Sequence, residues 1–379
     1  MEMLIGDLNL ERMNKMFNIE MLPAGHGDCI YIEYGDSKNP FRVLIDAGPY
    51  YGFKDLAKRI DGLSNLSLDF ELFVITHIDC DHVDGAIKLL GAKPSGLNIK
   101  DVWFNAYEHL FEEKDKMGAK HGEMLSALIE TFQLPWNNAP EFNGGSICIT
   151  IPKSLPEVLL DGKLKLTILS PNMKELAELE SSWKKDVLKA GLEPGSREEA
   201  LKLLKKNARL KPPKDLLGAP KIKSSAKKKF HQDTSEANAT SIAFLAEYEN
   251  KKYIFAGDAH PDVLVDSIKT LLHSRGESKL ALDAFKVSHH GSKGNTNVEL
   301  LELLDCKQFL FSTNGNYFKH PDEEAIARII INSGPDVHLF FNYYSDTTKV
   351  WKDSTLQKKF EYQTHYPKKK EKGLTIPME

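Results

Sequence analysis

The stretch "ITHIDCDHVDG" places two histidines and three aspartates between His77 and Asp84. Imidazole nitrogens and carboxylate oxygens together are the donors that borderline and hard divalent cations take. Alternate side chains of an extended segment share one side, so His77 and Asp79 can reach one ion together. A helix starting near Asp81 then turns Asp81 and His82 towards a neighbouring position. That spacing suits two ions sharing a site rather than one tetrahedral structural zinc. Two such ions can activate a shared water as nucleophile and stabilise charge on a phosphoryl or carbonyl oxygen. Hydrolysis is the chemistry indicated. The chain has no Walker loop, no Gly-x-Ser-x-Gly elbow and no strand-linked dinucleotide fingerprint to compete with it.

The elements around this array must bring it to the end of a sheet. "ELFVITH" is a short apolar run, as in a strand covered on both faces. Val83, Ala86, Ile87 and Leu90 follow at helical spacing. "CIYIEYG" and "FRVLIDAG" read as a hairpin turning at "DSKNP", and "DVWFNAY", "SICITIP" and "LKLTILSP" continue the strands. In the second half, "TSIAFLAEY" and "YIFAGD" flank the turn "ENKK". "ALDAFKVSHHG", "KQFLFSTNG" and "VHLFFNYY" follow, with helical spacing in "PDVLVDSIKTLLHS" and "NVELLELL". Strands alternating with helices in both halves predict α/β sheets with helices packed outside.

Further polar residues fall at predicted strand ends: Asp46 in "LIDAG", Asp258 in "FAGDAH", His289 and His290 in "VSHHGS", and His320 in "NYFKHP". Singly, each has an ordinary explanation as a cap or a satisfied core residue. Their order along the chain argues for one shared site.

That order, "THIDCDHVDG" followed by "NATSIAFLAEYENKKYIFAGDA", "FKVSHHGS" and "NGNYFKHP", resembles the metallo-β-lactamase fold hydrolases. Within them it is most similar to the metal-dependent domain of competence (DNA-uptake) channel proteins and its stand-alone relatives. The resemblance covers roughly residues 18–171 and 235–345. It implies an αββα sandwich with a binuclear metal site along one sheet edge. His77 and Asp79 would bind the first metal, Asp81 and His82 the second, and Asp258 would bridge both. His320 fits as the last ligand of the second metal, leaving His289 and His290 beside the scissile group with Asp81; the reverse is open. Asp46 would support the site from behind a ligating histidine. The chain departs from the wider family at Asp79, where a histidine is usual, and at Asn238 in "NATS". Both departures exchange nitrogen for oxygen, so manganese stands beside zinc as a candidate for the two divalent ions.

The branch favours phosphodiesters as substrates: single-stranded DNA, RNA or a nucleotide. Lys293 could meet a phosphate, and Tyr317 could stack a base. A small ester, thioester or lactam is the alternative substrate class, and a metal-stabilised interaction module is the non-enzymatic alternative.

The whole chain, 1–379, reads as one such domain, with an insertion over 172–234 and a C-terminal extension over 346–379. In the insertion, residues 201–230 contain eleven Lys/Arg against Asp215 alone, within a chain of net charge −4. That segment could guide a polyanion. "MKELAELESSWKKDVLKAG" and "REEALKLLKKNARL" within it read as amphipathic helices, and the tail "YPKKKEKG" as a solvated end. Cys29, Cys80, Cys148 and Cys306 are widely spaced and form no CxxC pair, so a reducing cytoplasm is expected. No apolar run is long enough to span a membrane and no signal peptide is evident. The composition identifies no protein partner.

Overall fold

The computed structural model describes residues 15–63, 68–92, 94–110, 120–150, 155–179, 183, 220–369 and 371–376. Two mixed sheets lie face to face. In spatial order the first contains Leu374–Ile376, Lys15–Met21, Ile30–Asp36, Asn39–Ile45, Leu72–Val74 and Val102–Trp103. The second contains Tyr362–His365, Val337–Phe341, Gln308–Phe311, Ala284–Lys286, Lys251–Phe255, Ala243–Tyr248, Lys165–Ser170 and Glu157–Leu159. Each sheet is antiparallel towards one edge and parallel towards the other.

Period-2 alternation separates the layers. Ile30, Ile32, Val43, Ile45, Leu72 and Val74 point between the sheets, where they meet Phe244, Phe255, Leu310 and Phe340 of the second sheet. Their neighbours Tyr31, Leu44 and Phe73 point outwards onto Leu56, Ile60, Val83, Ala86, Leu90 and Leu125, which belong to helices. On the opposite side Ala243, Leu245 and Phe285 pack outwards against Leu264, Ile268, Leu271 and Ile326. Helix, sheet, sheet, helix is the αββα sandwich expected from the sequence.

The hairpin forms as expected, but pairing continues through Asp36 and Asn39, so its turn is shorter than "DSKNP". "SICITIP" differs: Ile149 makes an isolated bridge to Asn172 and no named strand. Asn105 holds this stretch from the side, accepting from the Ile147 N–H and donating to its carbonyl. In "YPKKKEKG" Lys368, Lys369, Glu371 and Lys372 are exposed, as expected, and the segments on either side of it are paired. Tyr362–His365 extends the second sheet, and Leu374–Ile376 pairs with Lys15–Met21 at the edge of the first. Most of the insertion, including "REEALKLLKKNARL", lies outside the described residues. Within them 173–179 are helical and Ile222–Ala226 forms a short helix. Among the described residues no helix is long and apolar enough to cross a membrane.

A short 3-10 turn, Tyr107–His109, buries an imidazole under the Trp136 ring. His109 Nδ1 accepts from the Ala106 N–H at 3.1 Å, and burial pushes its pKa down to about 4. The folded value lies below the unfolded value near 6.5, so the unfolded chain takes up this proton first. The contribution is fully present above pH 6.5 and is lost as pH falls towards 4, a total of about 3 kcal/mol. Denaturant titrations across that window are expected to show His109→Gln with a flatter acid limb than wild type. Equal slopes would remove His109 from the account.

Candidate metal centre

The strand Leu72–Val74 delivers the chain to the site, and the helix Cys80–Ala92 carries it away. Loops 24–28 and 46–48 press on the start of that helix. Ala47 N–H donates to the His82 carbonyl at 3.1 Å, and Gly85 N–H to the Gly48 carbonyl at 2.8 Å. Asp46, with φ 55°, accepts from both the Thr76 N–H and its hydroxyl at 2.8 Å. Its Oδ2 then holds His82 Nδ1 at 2.7 Å.

The same device recurs. His77 Nδ1 lies 3.0 Å from Thr76 Oγ1 and 3.2 Å from Ser241 Oγ, and His290 Nδ1 lies 2.9 Å from the Ser312 carbonyl. In each ring an outer partner occupies Nδ1 and leaves Nε2 facing inwards. The Nε2 atoms of His77, His82 and His290 and Asp258 Oδ1 are buried and have no hydrogen-bond partner among the described residues. Unpartnered buried polar atoms are costly, and here they converge. Asp258 Oδ2 lies 3.9, 3.5 and 3.7 Å from Nε2 of His77, His82 and His290. His290 Nε2 is also 3.5 Å from Asp81 Oδ2. Two compact donor groups result, His77–His82–Asp258 and Asp81–His82–His290. Their donor types and orphaned atoms fit divalent cations.

The charge balance agrees. Asp28, Asp46, Asp81 and Asp258 are all buried, and the buried Lys286 lies among them, its Nζ 2.6 Å from Asp28 Oδ2. Burial alone would raise the pKa of Asp258, but His290, His289 and His82 hold it well below the carboxylate range. Burial likewise opposes the imidazolium at His290, yet Asp258 and Asp28 lift its pKa to about 9. Without metal the carboxylates therefore favour the protonated rings of His82, His289 and His290. Cations entering the site would displace those protons.

The remaining predicted residues stand around this core. Asp79 is at the solvent side, its Oδ2 3.7 Å from His77 Nε2 and its side chain 44% exposed. His289 points its Nε2 to within 3.7 Å of Asp258 Oδ2, while its Nδ1 lies 3.0 Å from Asp233 Oδ2. Asn238 donates to the same Asp233 oxygen at 2.6 Å, so it supports His289. His320 is outside the compact donor groups: its ring lies edge-on to His289 with centroids 5.1 Å apart, and its Nδ1 faces Asp322 at 3.6 Å. Of the alternatives left open for the last ligand, His290 is the histidine that lies within the compact donor groups. Lys293 is exposed, with its backbone N–H on Asp322. Tyr317 is at the rim, stacked on His26 with centroids 5.0 Å apart.

Sequence reasoning missed His26, Asp28, Asp233 and Lys286. His26 Nε2 lies 3.9 Å from Asp81 Oδ2, and Asp28 Oδ1 3.3 Å from His290 Nδ1. The signal was "AGHGDC", a Gly-His-Gly-Asp run between two strands. Gly27 permits the approach there, since a Cβ would lie 1.7 Å from the Asp81 carbonyl oxygen.

No family model matches the chain, and neither does any curated protein. Solved structures that resemble it include CmlA, a diiron β-hydroxylase from Streptomyces venezuelae. It is 10% identical with a TM-score of 0.38, over 95% of this chain and 54% of CmlA. This chain thus spans about half the length of CmlA. The metallo-β-lactamase fold protein YhfI from Bacillus subtilis is 10% identical with a TM-score of 0.35, over 95% of this chain and 99% of YhfI. A diphosphatase of the PhnP family is 13% identical with a TM-score of 0.33, over 93% of this chain and 84% of its own. These are distant likenesses, and the donor set rests on this chain's own geometry.

Proposed function

We propose that the chain is a metal-dependent hydrolase of phosphodiesters acting on a nucleotide or single-stranded nucleic acid. The observation that carries this reading is a group of rings at the mouth of the donor cluster. Tyr51, Tyr317 and Phe318 are each about half exposed, and all three contact His26, which faces Asp81. Exposed rings beside a charged cluster suit a ligand with both a flat face and an anionic group. The likeness of "SHHGS" and "NGNYFKHP" to the competence-type branch supports the same substrate class.

His77, Asp79, Asp81, His82, Asp258 and His290 would hold two divalent ions, zinc or manganese. Bound there, such ions supply Lewis acidity and lower the pKa of water. His289 is suited to protonate a leaving oxygen: burial opposes its positive charge, but Asp258 and Asp233 raise its pKa. Asp233 and Asn238 fix that ring, and Asp46 fixes His82. His320, kept neutral by burial beside His289 and His290, lines the same wall. The lysine-rich segment 201–230 would add attraction for longer polyanions.

Protein stripped of metal and reloaded with zinc or manganese is expected to cleave labelled single-stranded DNA or RNA, and to be inactive without reloading. Tyr317→Ala is expected to raise KM for these substrates about tenfold, one lost stacking contact, with little change on a small aryl phosphodiester. Metal-dependent turnover confined to thioesters or lactams would overturn the substrate assignment.

A further inference from the structure

A second set of donors lies on the other side of the helix Cys80–Ala92. Cys80 and Asp84 stand four residues apart and share one helix face. His121, in the first turn of the helix Lys120–Thr131, faces both. Its Nε2 lies 3.9 Å from Cys80 Sγ and 3.8 Å from Asp84 Oδ1, and the three donors can meet one cation. Zinc bond lengths of about 2.3 Å to sulfur and about 2.0 Å to nitrogen place tetrahedral neighbours about 3.5 Å apart. The two separations from His121 need only a few tenths of an ångström of closure, and all three donor atoms lie within 4.8 Å of one another. The seat is firm, because a Cβ on neighbouring Gly122 would lie 2.6 Å from the Trp183 ring. Cys80 is exposed, so an ion has access.

We propose that Cys80, Asp84 and His121 form a separate mononuclear site for a borderline divalent cation, zinc foremost, with water in the fourth position. Sulfur distinguishes it from the principal centre, whose donors are all nitrogen and oxygen, and selects zinc over manganese or magnesium. Binding forms the sulfur–metal bond as the thiol proton leaves to solvent. The ion would clamp the helix that carries Asp81 and His82 to the helix Lys120–Thr131.

The test uses the full chain, stripped and reloaded with cobalt(II). A thiolate-to-cobalt absorption in the near ultraviolet is expected in wild type and in Cys148→Ser, and absent from Cys80→Ser together with one equivalent of bound cobalt. His121→Gln should weaken the sulfur-bound cobalt by on the order of 100-fold or more. No sulfur absorption in wild type, or one unchanged in Cys80→Ser, overturns the site. Should Cys80→Ser fail to fold, the His121→Gln titration decides alone. Because the band reports sulfur only, an empty or filled principal centre leaves the result readable.

Discussion

Asp258→Ala is expected to strip the principal centre of its ions and to lower turnover by at least about a thousandfold, the scale of several kcal/mol of lost charge stabilisation. Asp258 is the hub of the cluster: its Oδ2 faces Nε2 of His77, His82, His289 and His290 at 3.9, 3.5, 3.7 and 3.7 Å. Its other oxygen is buried without a hydrogen-bond partner among the described residues. Among the described residues Asp258 thereby links His77 and His82 of the first donor group to His290 of the second. Asp258→Asn separates charge from shape, since the amide fills the same space but carries no negative charge. Metal content and single-turnover rates should fall in both variants, while Asp258→Asn keeps the wild-type melting behaviour of the metal-free protein more closely than Asp258→Ala. A fully metallated and active Asp258→Asn would refute the shared-ligand role.

Much of this hub is legible in sequence because local rules suffice. Apolar runs with period 2 define the strands, and a functional acid or histidine directly after such a run lands at one sheet edge. His77, Asp81, His82 and Asp258 are all found that way. The choice among later histidines is different. His289 and His290 sit in consecutive left-handed conformations, φ 47° and 53°, costing on the order of 1 kcal/mol each. That local reversal turns His290 inwards and His289 towards Asp233, and no propensity rule foresees it for two adjacent histidines. Asp28 and Asp233 were missed for another reason. Each meets its partner from far away in the chain, across 262 and 56 positions for His290 and His289. The edge strands Tyr362–His365 and Leu374–Ile376 are short and border the lysine-rich "YPKKKEKG", so no period-2 run long enough to announce them is present.

Backbone approach is the feature that sequence conceals most, and it carries the other large effect. Gly85→Ala is expected to destabilise the protein by about 3 kcal/mol or more and to loosen metal binding at the same time. A Cβ at this position would lie 1.9 Å from the Ala47 carbonyl oxygen and 2.6 Å from its carbon. Those atoms are backbone, so no rotamer change relieves the overlap. Relief requires moving the helix Cys80–Ala92 away from loop 46–48, which breaks the Gly85–Gly48 and Ala47–His82 hydrogen bonds. Asp46 then loses His82, and Asp81 shifts from His290. Gly91, on the same helix, is the control: nothing among the described residues stands within 4 Å of its Cβ position. Gly91→Ala should therefore be neutral or stabilising by up to about 1 kcal/mol, the helix-propensity difference. Denaturant midpoints and metal stoichiometry measured on both variants separate propensity from contact. Equal behaviour of the two would show that loop 46–48 yields freely, and the rigid seating of Asp81 and His82 would have to be abandoned.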